Sequence, residues 1–148
     1  MRITRPMALT VAAAVAATAL STAQSAHAQG GTTLTFSNQA DSQQPVDVLP
    51  AGPSIGDSFY VKSHVVSGTK GRTAASCVVI TTAGKGIKQC EVDFVLAKGT
   101  ITTRGLTDNA NTLVKLVVTG GTGDYAGMTG RGTLTPFVGG SDVVLHLR

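Results

Sequence analysis

From Thr32 onward, Gly or Pro interrupts the chain every eight to twelve residues, and the stretches between are rich in Val, Ile and Thr. Such spacing leaves little room for a helix of ordinary length, and β-branched side chains favour a pleated backbone. Eight runs qualify as strands: Thr32–Ser37, Asp57–Ser67, Thr73–Thr82, Ile87–Ala97, Thr100–Leu106, Thr112–Thr119, Gly130–Pro136 and Asp142–Leu147. The run Asn38–Gly56 carries Pro45, Pro50 and Pro53 and reads as a long loop. Gly68-Thr69-Lys70-Gly71 and Asp108-Asn109-Ala110-Asn111 read as hairpin turns. Eight short strands predict an all-β fold, either a sandwich or a closed eight-stranded antiparallel β-barrel. Closure removes the free edges that invite aggregation, and a barrel of this size can enclose one small ligand.

Ahead of these runs lies a segment of another kind. Arg2 and Arg5 precede the Ala/Val/Leu stretch Met7–Leu20, and Ala26-His27-Ala28 supplies the small-x-small pattern that signal peptidase reads. The apolar stretch of 14 residues is shorter than a bilayer span, which takes roughly 20. Residues 1–28 are therefore expected to be a signal peptide cleaved after Ala28. Residues 29–148 would then be a single secreted domain with no membrane span. Twelve Lys/Arg against eight Asp/Glu give a net charge of +4, but Arg2 and Arg5 leave with the leader. The remaining cations are scattered singly, and there is no Trp. Nucleic acid, which needs a basic stripe or a stacking platform, is not an expected partner.

The turn chemistry sets strand registers. A turn centred on Ala83 and Gly84 places Cys77 directly opposite Cys90, and in an oxidising compartment that pair is expected to be a disulfide. The alternative is two free thiols, with Cys77 available to His64. A turn centred on Thr69 and Lys70 then puts Tyr60, Lys62, His64, Cys77, Val79, Cys90, Val92, Phe94 and Leu96 on one face. Phe59, Val61, Ser63, Val78, Glu91 and Asp93 fall on the other, and a one-residue slip would exchange such sets. Both faces are largely apolar, which predicts burial of the outside in an oligomer. Glu91 and Asp93 share the outer face and read as an outward ion pair or subunit contact.

Other motifs carry little chemistry. Gly121-Thr122-Gly123-Asp124-Tyr125-Ala126 has the letters of a dinucleotide fingerprint. The following Gly127-Met128-Thr129-Gly130 cannot supply the helix that would face a pyrophosphate, so a tight strand connection is expected. His64 and His146 have no metal-ligand spacing, and no metal or other cofactor is expected.

The segment Val117–Pro136, in which Gly120-Gly121-Thr122-Gly123 is followed by Tyr125, Ala126-Gly127 and a glycine-rich strand, closely resembles a signature of the allene oxide cyclase and dirigent barrel superfamily. Gly56-Asp57-Ser58-Phe59 resembles the start of the second strand in bacterial members. Cys77-Val78-Val79-Ile80 and Gly99–Gly105 sit where similar strands lie. The resemblance implies a closed barrel with an apolar cavity, commonly a trimer, with little dependence on cofactors. Plant members close an epoxide-derived fatty acid into a cyclopentenone, and dirigent proteins steer radical coupling or cyclisation. The family cysteine matching Cys77 lines the cavity, which makes the Cys77 face the inside. Tyr60 and His64 then become candidate catalytic groups, and Lys62, Val79, Val92, Phe94 and Leu96 candidate contacts to a small lipophilic substrate. One departure is clear: the first strand, Thr33–Asn38, lacks the carboxylate that orients the plant reaction. The resulting expectation is an exported cofactor-independent cyclase or isomerase. The alternatives are a non-catalytic lipophile binder or guide, and a structural surface protein.

Overall fold

The computed structural model describes residues 31–108, 110 and 112–148. The expected signal peptide and part of the Asp108–Asn111 turn lie outside the described residues. Eight strands follow in order: β1 Thr32–Val46, β2 Ser58–Ser67, β3 Gly71–Thr81, β4 Ile87–Leu96, β5 Gly99–Asp108, β6 Val114–Gly121, β7 Gly130–Phe137 and β8 Gly140–Leu147. Each pairs antiparallel with its sequence neighbour, and β1 pairs with β8 to close the barrel. The expected all-β closed eight-stranded barrel is the observed fold.

Alternation decides what faces inward. Along β6, Val114, Leu116 and Val118 are buried while Lys115, Val117 and Thr119 are exposed. Along β4, Cys90, Val92, Phe94 and Leu96 are buried. One part of the interior is packed solid around Phe36 and Phe94, whose rings meet edge to face with centroids 5.4 Å apart. Such a pair adds about 1 kcal/mol beyond its burial. Ile101, Leu116, Leu145 and Leu147 complete this plug.

The G-x-G-x-x-A segment forms a single 3₁₀ turn, Gly123–Tyr125, which buries Tyr125 against the plug. A side chain at Gly121 would strike the Tyr125 carbonyl at 2.4 Å. The tight connection expected from the sequence is therefore present.

Two expectations change. The stretch expected to be loop from Asn38 is strand as far as Val46. Up to Gln39, β1 lies between β8 and β2; beyond Gln39 it pairs with β2 alone. That second half has one unpaired side, which is why Pro45 is tolerated there. A bulge between Ala40 and Ser42 inserts Asp41 and resets the alternation. The irregular segment is thus only 47–57.

The second correction is the register of β2 on β3. Tyr60 pairs with Ser76, whereas a turn centred on Thr69 and Lys70 would set it opposite Val79. The shift is an odd number of residues, so the faces of β2 exchange. The cause lies in β1. After His64, β2 leaves β3 but continues along β1, where Ser67 pairs with Ser37. Gly68 then turns with φ +87°, and a Cβ there would lie 2.3 Å from the Thr35 carbonyl. The β3–β4 register is as expected, with Cys77 opposite Cys90.

Candidate functional site

Beyond the Phe36–Phe94 plug the barrel is not filled. A cavity of about 280 Å³ remains, enclosed by inward residues of β1–β4 and β6–β8. That is near the lower end for small-molecule pockets. Val61, Ala75, Val92, Val114 and Leu134 make its walls apolar, and Cys77 and Cys90 contribute a disulfide to the wall. Phe59, Pro136 and the half-exposed Phe137 also line it.

Its polar side chains are the exposed Gln43 and a buried group of four. Ser141 on β8 faces Asn38 on β1, and the Ser141 hydroxyl donates to Asn38 Oδ1 at 2.8 Å. Ser63 on β2 is diagonal to Asn38, and Thr73 on β3 pairs directly with Ser63. These four side chains form a continuous belt across β8, β1, β2 and β3, and each is at most 7% exposed. No buried side-chain oxygen or nitrogen among the described residues lacks a partner unless it reaches open space. The Ser63 and Thr73 hydroxyls and the Asn38 amide N–H groups have no partner in the protein, so they open onto the cavity.

Among the described residues no ionisable side chain lines this cavity. The groups with displaced pKa values lie elsewhere. Backbone N–H groups of Ser54 and Val48 hold the Asp57 carboxyl below its ordinary value, and burial followed by the neighbouring Asp124 charge raises the Tyr125 phenol. Among the described residues there is no cluster of three His, Cys, Asp or Glu that could hold a metal ion.

The candidate residues separate into three places. Val92 lines the cavity. Phe94 and Leu96 face inward but belong to the packed core, and Val79 is half-buried near the end of β3, outside the cavity lining. Tyr60, Lys62 and His64 are on the outside, because the β2 register exchanges that strand's faces. There His64 Nδ1 meets Asp41 Oδ1 at 2.5 Å, the aspartate that the β1 bulge projects outward. Tyr60 and Lys62 border a separate outer groove with Arg72.

Cys77 and Cys90 are joined, with Cα atoms 4.0 Å apart, so no Cys77–His64 thiol pair exists. The outward carboxylates are as expected: Arg104 Nε donates to Glu91 at 2.7 Å, and Thr102 Oγ1 donates to Asp93 at 2.7 Å.

Little in the sequence points to the belt. The prolines after Asn38 predict a loop there, and the turn-derived register sets Ser63 on the outer face. Only Thr73, two residues before Ala75 on the inward side of β3, carried a usable signal.

The sequence model of the allene oxide cyclase barrel like domain matches residues 32–144. No protein of curated function matches the chain in sequence. Solved structures share its fold. A pyocyanin demethylase superposes with a TM-score of 0.71 at 24% identity, over 79% of this chain and 100% of that one. The Diels–Alderase AbmU from Streptomyces koyangensis gives 0.66 at 17% identity, over 80% of this chain and 63% of the other. The pterocarpan synthase dirigent protein PsPTS1 gives 0.60 at 16% identity, over 80% and 94%. At such identities these likenesses concern the fold.

Proposed function

The chain belongs to the allene oxide cyclase barrel-like family, and from that premise we propose that it binds a small lipophilic molecule inside the barrel and guides its stereoselective cyclisation or isomerisation. The observation that carries this reading is an apolar cavity whose only polar lining is neutral. A side chain that gains or loses a full charge is not in contact with the occupant, so proton transfer to a carboxylate or imidazole is not the working chemistry. Shape is. Walls that admit one folded form of a flexible molecule hold its reacting atoms near each other, and proximity with orientation supplies rate and stereochemistry. Neutral donors can add polarisation of one oxygen. The same cavity would serve a guide protein that performs no bond-making step of its own.

Export belongs to this reading. The Cys77–Cys90 disulfide suits an oxidising compartment, and no helix among the described residues is long and apolar enough to cross a membrane. Association of copies, as trimers, belongs to it too, supported by the apolar residues left on the outer face.

The test is native mass spectrometry and solvent extraction of the protein purified from its own source. The expected result is a lipophile bound one to one. Ala75→Phe or Ala40→Phe, each filling the cavity from a different strand, should abolish it. Undiminished lipophile on both folded variants would remove the cavity from the account.

A further inference from the structure

We propose that the cavity's occupant is a neutral molecule that presents a carbonyl-type oxygen to the Asn38–Ser63–Thr73 belt, and that free carboxylates are rejected. The inference rests on the cavity reading above and narrows it to a substrate class.

Donor accounting comes first. Ser141 spends its proton on Asn38 Oδ1 and thereby turns the Asn38 amide so that its N–H groups remain to donate. Thr103, also fully buried on the inner face, spends its proton on the Val92 carbonyl at 3.1 Å. What remains unspent at depth is the Asn38 amide and the hydroxyls of Ser63 and Thr73, on three neighbouring strands; the Gln43 amide also lines the cavity but is exposed. They are 3–4% exposed, deeper than the mouth residue Phe137 at 48%. Donors grouped at that depth among largely apolar walls favour an occupant that accepts from them. The complementary group is an acceptor oxygen that reaches them first.

Charge comes second. An ionised carboxylate carried to that depth sheds its water, and no Lys, Arg or His lines the cavity to replace it. Lys62 and Arg72 stand on the other side of the wall. Neutral hydroxyls can share an anion's charge only in part. A ketone, enone, quinone or lactone oxygen loses little water and gains the same donors. A hydrocarbon of the same shape leaves the belt unsatisfied.

A matched set of compounds tests this on the disulfide-intact protein by isothermal titration calorimetry at pH 7. The compounds are 2-acetylnaphthalene, 2-naphthoate and 2-ethylnaphthalene. The expected order is acetylnaphthalene, then ethylnaphthalene several-fold weaker, then naphthoate at least about tenfold weaker than the ketone. In Ser63→Ala/Thr73→Val, which leaves only the Asn38 amide of the belt, the ketone's advantage over ethylnaphthalene should shrink while ethylnaphthalene binds as before. Naphthoate binding as tightly as the ketone would overturn the inference and leave the cavity reading standing. Equal binding of ketone and hydrocarbon by the unmodified protein would overturn the role of the belt. Failure of all three to bind would overturn the cavity reading together with the inference.

Discussion

Asp57 organises the connection between β1 and β2. Its Oδ1 accepts from the Val48 backbone N–H at 3.0 Å and its Oδ2 from that of Ser54 at 2.8 Å. Both bonds favour the ionised carboxyl, which lowers its pKa from an ordinary 3.8. With the folded value below the unfolded one, the contribution is complete above about pH 3.8 and is lost as pH falls through the lower folded value. The Val48 and Ser54 amide resonances should therefore hold their positions to about pH 4 and move only below it. Asp57→Asn, with one acceptor oxygen, should release one of the two amides at neutral pH. A titration of these resonances centred near pH 6 would contradict the assignment. At this scale the sequence is unevenly legible. The Gly56-Asp57-Ser58-Phe59 resemblance marks Asp57, though not its two amide partners. Tyr60 and His64 are reactive types, yet reactivity says nothing of which way a strand faces. Ser63, less conspicuous, is the polar β2 residue in the cavity, beside Phe59 and Val61.

The β3–β4 hairpin shows what a register needs in order to be legible. The turn itself spans Ala83–Gly86, where the Gly86 N–H donates to the Ala83 carbonyl, and a bulge between Val79 and Thr81 offsets its shifted centre, so Cys77 and Cys90 still meet. The β2–β3 connection is different because β2 is still paired with β1 after it has left β3. Local turn residues cannot reveal a contact made with a strand some 30 residues earlier. The long β1 was hidden for a related reason, since Pro45 reads as a strand breaker until one side of the strand is known to be unpaired. The disulfide adds a covalent tie across 13 residues of sequence. Closing a loop of about 15 residues contributes roughly 3 kcal/mol, mainly by restricting the unfolded chain. Cys77→Ala/Cys90→Ala should lower the urea unfolding free energy by about 2–4 kcal/mol. The untreated protein should show the same loss under reductant, and the double variant should show no further change. Stability equal with and without reductant would mean that the cross-link constrains nothing the hairpin does not already constrain.

The barrel as a whole divides its burdens between inside and outside. Inside, the Phe36–Phe94 plug fills one part of the lumen and leaves the rest as the cavity. Outside, apolar side chains remain in water, but mostly not as one patch. Val117 is flanked across the sheet by Arg104 and Arg131, an arrangement suited to solvent. The corner made by β3, β4 and β5 is less well served: Val78, Ile80, Ile87 and Leu106 are each 39–58% exposed and are separated chiefly by Gln89. Contiguous apolar surface of this kind is commonly covered by a partner. In a ring of three copies the corner of each would be covered by a different face of its neighbour, without any other component. Multi-angle light scattering should give a mass about three times that of one chain. Leu106→Glu places an uncompensated charge in the corner and, being on the outer face, should leave the cavity and its ligand preference intact while the mass falls to that of one chain. A single-chain mass for the unmodified protein would refute assembly. An unchanged trimer in Leu106→Glu would move the contact to another face. Assembly and ligand binding would be separable because the corner and the cavity lie on opposite faces of β3 and β4, an arrangement the expected Cys77–Cys90 register already contains.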